Sequence, residues 1–463
     1  MGQVAHVWCD IEPFQCSNSD YGFCPICYLK NTFTNWCQTC NAERFRQDFN
    51  RWTSGNPAID EFIREAQLSA TSPWDVIELI PYTRLKKITY IANGGCGTIY
   101  KAIWIDGYIR KWDSEIGGWF RKKLQIRNWT YIYDKISSND SNSTIESGRM
   151  VALKIQNASE EDLLKELKYH FQSFKAARKA GSMLFSLLGI TKNPETSQYI
   201  IVLKYAQYGN LRDNLGQISG WKWEKRLFVL FHIVSGLAGI HQSGIVHKDL
   251  HGGNILLYGM LEGYHVALIS DLGLAAPIHS EKNELYGVIP YTAPEMLLRG
   301  KYYRCSKSAD IYSLAIIMWE IASGEPAFGN APHNTDLCLG IVSGSRPNIN
   351  NYTPQCYASL MKKCWDLDPL QRPTANELKK IIGDWLGNSN DEFLQADKKL
   401  QEPLDSTPQS ISKSQLHPEA FYTSRLLKPL ALVNKDECQI KKNRNLTFIN
   451  ENSGIFFYLL INK

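Results

Sequence analysis

The sequence predicts an α+β fold of two lobes, a small β-rich one followed by a larger helical one, with a small cysteine-rich module ahead of them. Three observations lead there. From about Leu85 to Leu386, short runs of β-branched and aromatic residues come first and long helical patterns follow, the order expected of a small sheet joined to a helical body. Half of the 12 cysteines fall before residue 41. Hydrophobic residues make up 44% and charged residues 21% of the 463, which allows a large core and excludes wholesale disorder. By length, about three average domains fit.

Taken in order, residues 1–45 form the cysteine-rich module. Its ordered subset is Cys24-x-x-Cys27 and Cys37-x-x-Cys40, each pair suited to a tight turn that presents two thiolates to one zinc ion. The gap of nine residues between the pairs is shorter than usual for zinc ribbons. Two readings stand, a four-cysteine zinc site and unliganded thiols, with Cys9 and Cys16 as bystanders or replacements. Tyr21, Phe23, Tyr28, Phe33 and Trp36 are the candidates for an apolar shell around the site.

Residues 46–84 read as a helical linker. Asn56 is a candidate N-cap with Pro57 at the first helical position, and Ile59, Phe62, Ile63, Ala66 and Leu68 recur at helical spacing. The main domain spans 85–386, interrupted over residues 103–150 by an insertion carrying Trp112, Trp119 and Trp129 among Lys and Arg residues. Aromatics among basic residues can bind single-stranded nucleic acid. Asp113, Glu115, Asp134 and Asp140 and the polar stretch from Ser137 to Ser147 favour a surface loop instead. Residues 387–463 are polar and read as a mostly disordered tail. The apolar run from Ile455 to Ile461 departs from that locally; it is too short to span a bilayer, and a docking strand or an aggregation hazard are its readings.

A net charge of +5 from 51 basic and 46 acidic residues, with no long basic run, gives no reason to expect a nucleic-acid partner. Met1-Gly2-Gln3 does not open a secretory signal, and no stretch approaches the roughly 20 apolar residues of a membrane span. Gly2 is discounted for myristoylation because His6 stands where the motif wants Ser or Thr. An intracellular, cytoplasmic protein without a membrane span is the expectation.

The chemistry concentrates in His247-Lys248-Asp249-Leu250-His251-Gly252-Gly253-Asn254 and, beyond a hydrophobic hairpin, Asp271-Leu272-Gly273. A carboxylate, an amide five residues later and a second carboxylate are the groups that phosphoryl transfer requires beside the attacking hydroxyl and on magnesium. Together they resemble the catalytic loop and magnesium loop of protein kinases. Other segments extend the resemblance in the family's order. The run Ile91-Ala92-Asn93-Gly94-Gly95-Cys96-Gly97-Thr98-Ile99 is similar to the glycine-rich phosphate loop, with Ala92 in place of its first glycine. Met150-Val151-Ala152-Leu153-Lys154 is similar to the strand bearing the phosphate-anchoring lysine, and Glu166 takes the pairing carboxylate, with Glu161 its rival. Leu203-Lys204-Tyr205-Ala206 resembles the hinge. Ala293-Pro294-Glu295, Asp310-Ile311-Tyr312 and Cys364-Trp365, continuing to Arg372-Pro373-Thr374, close the set.

The resemblance covers about 300 residues and points to the tyrosine-kinase-like group. It implies a two-lobed protein kinase fold, ATP and magnesium as cofactors and a protein substrate. Asp249, Lys154, Asn254 and Glu166 are implied as catalytic residues, with Asn254 and Asp271 on magnesium. Ile91, Gly94, Gly95, Gly97, Ile99, Ala152, Lys154, Leu203, Lys204, Ala206 and Asp271 are implied around the nucleotide, and Arg372 in a structural ion pair with Glu295. The departures bear on substrate and control. His251 stands where Ser/Thr kinases carry a lysine, Val288 replaces the threonine of G-T-x-x-Y, Leu272 replaces phenylalanine, Ala315 replaces a glycine, and Lys248 replaces an arginine that receives activation-loop phosphate. A Ser/Thr kinase is the leading reading, beside a tyrosine or dual-specificity kinase and a pseudokinase scaffold. The oligomeric state is not legible.

Overall fold

The computed structural model describes residues 21–94, 97–125, 147–156, 158–182, 184–259, 265–282, 284–298, 303–388, 391–401, 416–428, 430, 432–433, 446–449 and 457–460. Gly95, Cys9, Cys16, Gly2, His6, Trp129 and most of the stretch from Ser137 to Ser147 lie outside them. The chain divides into two compact units, one ending at Gln207 and the other beginning at Tyr208.

In the first unit, helices α1 (Gln38–Asp48) and α2 (Pro57–Leu68) precede the sheet. Strands follow as β1 (Glu78–Leu79), β2 (Leu85–Gly94), β3 (Gly97–Trp104), β4 (Tyr108–Asp113), β5 (Gly118–Lys122), β6 (Leu124–Gln125) and β7 (Ser147–Ile155). Helix α3 (Glu160–Lys179) separates these from β8 (Leu187–Lys192) and β9 (Tyr199–Lys204). The sheet order is β1-β8-β9-β7-β3-β2, with β6 also on β7 and the β4–β5 hairpin apart. Alternation along these strands places Val151 and Leu153, Ile200 and Val202 in one core with Ala102, Trp104 and Tyr108.

The 46–84 stretch, expected as a linker, is built into this unit. Ile59, Phe62, Ile63 and Ala66 of α2 share a core with Leu163 and Leu167 of α3 and with Leu187, Ile190, Tyr199 and Ile201 of the sheet. The Asn56 side chain accepts from the amides of Ala58 and Ile59, so the N-cap and Pro57 start α2 together. Arg178 of α3 and Asp75 form a buried ion pair reinforced by Ser72. The insertion is likewise partly structural. Trp119 stacks on Phe45 at 4.5 Å between ring centroids and on Trp36 at 5.8 Å, and the Arg44 guanidinium lies over Trp112. Trp119 and Trp112, two of the three tryptophans of the insertion named above, thus pack against the cysteine module and α1.

In the second unit, helices α4 (Trp223–Gln242) and α5 (Lys307–Ser323) are apolar on all sides and buried along most of their length. Strands β10 (Ile255–Gly259) and β11 (His265–Ile269) form an antiparallel hairpin against α4. Helix α6 (Ala375–Gly387), started by a capping box of Thr374 and Glu377, packs on α4.

The expectation of a mostly disordered tail needs correction for two segments. Helix α7 (Asp391–Gln401) buries Phe393 and Ala396, with the Phe393 ring against Trp223 and Trp385. Further on, strand β13 (Arg425–Leu427) pairs antiparallel with β12 (Leu285–Gly287). Both segments hold few buried apolar residues, and with Leu394, Phe421 and Leu426 exposed, such widely spaced anchors leave polar composition as the dominant signal. Within the terminal apolar run, Phe457–Leu460 pairs with Leu446–Ile449 and Leu432–Val433.

Candidate active site and cysteine centre

Strand pairing in the first unit sets the nucleotide-side candidates beside one another. Ile99 of β3 faces Lys154 of β7, and Ala152 faces Leu203 of β9. Lys154 Nζ lies 2.8 Å from Glu166 Oε1, both side chains buried. The rival Glu161 instead meets Lys165 on the exposed side of α3, as i,i+4 spacing directs. The Lys204 amide donates to the Ser186 carbonyl at 3.0 Å, and Ala206 is half-buried. In the glycine loop, Gly97 has φ +145° and a Cβ there would meet the Ile155 carbonyl oxygen at 2.3 Å, so strand packing alone demands glycine. Gly94 has no such constraint, since a Cβ would meet its nearest atom at 3.5 Å. Ile91 is exposed.

The catalytic-loop candidates are held from beneath by Asp310 at the start of α5. Its carboxylate accepts the amides of His247 at 2.8 Å and Lys248 at 2.9 Å, and His241 Nε2 lies 2.9 Å away. Burial opposes ionisation of Asp310, but the hydrogen bond and charge of His241 outweigh it and lower its pKa. Lys248 adopts φ 72°, a conformation costly for a side chain that bears a Cβ. This bend lets the loop carry Asp249 past the anchored amides. Asn254 Nδ2 donates to the Asp249 carbonyl at 2.9 Å and to its Oδ2 at 3.2 Å, which leaves the amide oxygen of Asn254 directed elsewhere. The Asn254 carbonyl accepts from Ser270, the residue before Asp271, tying the two loops together. Asp271 Oδ1 accepts the Gly273 amide at 3.1 Å. Carboxylate and amide oxygens of this kind suit a hard divalent cation.

Burial would raise the Asp249 carboxyl, but the His251 imidazole, the Ser424 hydroxyl and His247 bring it down to about 2. It is an anion at any physiological pH. His251, by contrast, is held below the usual imidazole range by burial, with Arg212 and His247 adding to the effect against the pull of Asp249. Its Nδ1 accepts the Gly253 amide at 3.1 Å and faces Arg212 Nη2 at 3.1 Å. Two donors on Nδ1 place the proton on Nε2. Burial therefore favours the neutral imidazole at His251, whose Nε2–H faces Asp249 and Ser424. The cation close by is Arg212, which stands over the rings of Tyr291 and Tyr422. Sequence reasoning missed Arg212, and no motif surrounds it that could have found it.

Ser424 was also missed. Its Oγ lies 2.5 Å from each carboxylate oxygen of Asp249 and 3.3 Å from His251 Nε2. Away from this centre, Arg372 grips Glu295 through Nη1–Oε1 at 2.7 Å and Nη2–Oε2 at 2.8 Å.

In the cysteine centre, the sulfurs of Cys24, Cys27, Cys37 and Cys40 all lie within 4.8 Å of one another, with Cys24–Cys40 at 3.8 Å and Cys27–Cys37 at 3.4 Å. A tetrahedral zinc with Zn–S bonds of about 2.3 Å has sulfur–sulfur edges of about 3.8 Å, so the donor set fits. Burial opposes ionisation of Cys24, yet the amides of Cys27 and Ile26 bring its thiol down to about 7, while burial and the other three sulfurs push Cys40 up to about 12. Thiols packed this closely share charge poorly without a cation. The expected aromatic shell needs correction. Phe23 and Tyr28 face solvent at 62% and 78% exposure. Trp36 is fully buried with its indole N–H on the Ala70 carbonyl, and Phe45 and Trp119 complete the shell from α1 and the insertion.

Residues 120–382 match the family described as protein tyrosine and serine/threonine kinase. The chain is 31% identical over 212 residues to receptor-interacting serine/threonine-protein kinase 1 of Homo sapiens, covering 42% of this chain and 31% of that protein. It is 33% identical over 183 residues to probable serine/threonine-protein kinase pats1 of Dictyostelium discoideum, covering 39% of this chain and 6% of the relative. It is 33% identical over 173 residues to the dual serine/threonine and tyrosine protein kinase of Xenopus laevis, covering 36% and 18%. The chain thus spans a third or less of the length of these relatives. No helix among the described residues is long and apolar enough to cross a membrane. Since the family match takes in more than half of its residues, the chain belongs to the protein tyrosine and serine/threonine kinase family.

Proposed function

We propose that the chain is an active ATP-dependent protein kinase that transfers the γ-phosphate of ATP to serine or threonine hydroxyls of protein substrates in intracellular signalling. The observation that carries this reading is the buried Lys154–Glu166 pair. Active kinases require that pair in place, and a binding scaffold has no need to keep two opposite charges buried. In this reading Lys154 holds the α- and β-phosphates, the backbone from Ile91 to Ile99 covers the phosphates at Gly94, Gly95 and Gly97, and Ala152 and Leu203 flank the adenine. The backbone of Lys204 and Ala206 bonds the base. Asn254 and Asp271 hold magnesium, which neutralises charge on the transferring phosphoryl group when bound.

Asp249 orients the substrate hydroxyl and takes its proton. Because its carboxyl stays ionised down to about pH 2, it is a weak base. Proton removal then comes late, consistent with a loose phosphoryl transfer in which positioning outweighs base strength. Preference for Ser/Thr is supported by the relatives, two of which are named serine/threonine-protein kinases and a third a dual serine/threonine and tyrosine kinase. In the amino-terminal part, Cys24, Cys27, Cys37 and Cys40 hold a structural zinc.

The test is the purified chain with γ-labelled ATP and magnesium, beside Asp249→Ala. Transfer to a generic protein substrate by the wild type, lost in the variant, is the expected result. Equal and negligible transfer by both would return the chain to the scaffold reading. Phosphoamino-acid analysis should give phosphoserine and phosphothreonine; phosphotyrosine as the main product overturns the substrate assignment.

A further inference from the structure

Residues 416–428 run across the second unit through a turn at Pro418-Glu419 and then a strand at Arg425–Leu427, and their contacts read like those of a bound peptide. Upstream of Ser424, the His417 amide donates to the Gly329 carbonyl at 2.8 Å and the Glu419 carbonyl accepts the His333 amide at 2.9 Å. Tyr422 is buried, its hydroxyl donating to the Ala327 carbonyl at 2.9 Å and its own carbonyl accepting from Arg212 Nη1 at 2.6 Å. Downstream, Arg425, Leu426 and Leu427 add a strand to Gly287, Tyr286 and Leu285, which lie between the magnesium loop and Ala293-Pro294-Glu295. Leu427 is buried and the Leu430 amide donates to the Leu297 carbonyl at 2.8 Å. Strand addition of this kind is a common way for an enzyme to take up an extended peptide, with backbone bonds for affinity and alternate side chains for specificity.

The residue between these two anchored stretches is Ser424. Its hydroxyl bridges both oxygens of Asp249 at 2.5 Å, and His251 Nε2 lies 3.3 Å from the Ser424 Oγ. Nothing local to Ser424 requires this: a serine could face solvent here, as its neighbour Thr423 does.

We propose that Ser424 is a phosphorylation site that the chain presents to its own Asp249, with residues 416–428 serving as an intramolecular substrate that occupies the peptide path until it is modified. This rests on the kinase reading above. In the step, Ser424 Oγ forms a bond to the γ-phosphorus of ATP and the bond from that phosphorus to the β,γ-bridging oxygen breaks. The electron pair leaves with ADP, and the hydroxyl proton passes to Asp249 and then to water. The product places a phosphate of charge about −1.5 to −2 against an ionised carboxylate. Repulsion and the lost Ser424–Asp249 bond then drive the segment out, which opens the path to other substrates. The same register assigns those substrates an aromatic residue two before the acceptor and a leucine-like residue three after it, the positions of Tyr422 and Leu427.

The experiment uses the full chain, treated with phosphatase and then given magnesium and γ-labelled ATP, with the sites located by mass spectrometry. Phosphate should appear on Ser424, at an initial rate per molecule that does not change as the protein is diluted over about 100-fold. Ser424→Ala should lose that phosphosite alone. Leu427→Asp, which removes a buried anchor, should raise kcat/KM on an added protein substrate by about tenfold. An added substrate that is phosphorylated while Ser424 stays unmodified overturns the proposal and leaves the kinase reading standing. A Ser424 rate that falls in proportion to dilution overturns the intramolecular assignment. No transfer to any acceptor removes both.

Discussion

Lys154 Nζ and Glu166 Oε1 meet at 2.8 Å with 4% and 6% of their side chains exposed, and Gln156 adds a further donor to Glu166. A pair this buried is costly to desolvate, and its replacement by apolar residues of similar volume is often neutral for stability. Breaking it by removing one partner is a different matter.

Lys154→Met should therefore destabilise the first unit by about 3 kcal/mol, because it leaves the Glu166 carboxylate buried without its cation. Lys154→Met with Glu166→Leu should regain most of that stability while transferring no more phosphate than the single variant. Thermal unfolding and phosphate transfer measured on both proteins check this. A double variant that recovers activity along with stability would falsify the phosphate-anchoring role of Lys154.

Arg372 and Glu295 make the matching case in the second unit. The bidentate contact and two further donations from Arg372, to the Asp366 carbonyl at 2.9 Å and the Ser308 carbonyl at 3.0 Å, use the fork geometry of a guanidinium. Arg372→Lys keeps the charge and loses the fork, so it should lower stability by about 2 kcal/mol. Arg372→Ala should cost about 3 kcal/mol or more. Urea unfolding checks the order; equal stability of wild type and Arg372→Lys would show that charge alone suffices.

What the sequence makes legible here is what short spacings encode. Asp249 and Asn254 are five residues apart and hydrogen-bond directly; Lys154 and Glu166 lie within a short stretch of chain, and the resemblance to protein kinases implies Glu166 over its rival Glu161. The lobes follow from local pattern, since α5 is a long helix buried along most of its length and β7 sends Val151 and Leu153 into one core. Contacts closed over long stretches of chain leave no such trace. Ser424 meets Asp249 across 175 residues and Arg212 meets Tyr422 across 210, and neither serine nor arginine carries a local pattern that announces its partner. Trp119 reads as part of a surface loop until Phe45 and Trp36 are seen against it. The tail reads as disordered because Phe393, Tyr422 and Leu427 are anchors too sparse to form a period.

The cysteine centre makes a prediction of its own. Purified without chelator, the chain should carry close to one zinc per molecule by elemental analysis, and Cys37→Ser should lose it. Because Trp36 is buried between the cysteine turns, Ala70 and Trp119, loss of metal should also shift tryptophan fluorescence to the red. Zinc content near zero in a protein whose four thiols all react with a mild disulfide reagent sinks the metal assignment.

The pH dependence of stability should turn on Glu320, which is buried in α5 beneath the active site. Its Oε1 accepts from the Tyr291 hydroxyl at 2.5 Å and the Ala327 amide at 3.2 Å, while its Oε2 has no hydrogen-bond partner among the described residues. Burial raises its pKa to about 7, against the opposing pull of Arg212 and these hydrogen bonds. For an acid whose folded value lies above its unfolded value of 4.5, the folded state holds the proton more tightly. The associated stability is complete below about pH 4.5 and is lost as pH rises through about 7. The shift corresponds to roughly 3 kcal/mol. Glu320→Gln keeps an oxygen to accept from Tyr291 and Ala327 but cannot titrate. Urea unfolding at pH 5 and pH 8 should therefore show wild type losing roughly 3 kcal/mol more than the variant over that interval. The same loss in both proteins would mean that Glu320 stays ionised in the fold, balanced by Arg212.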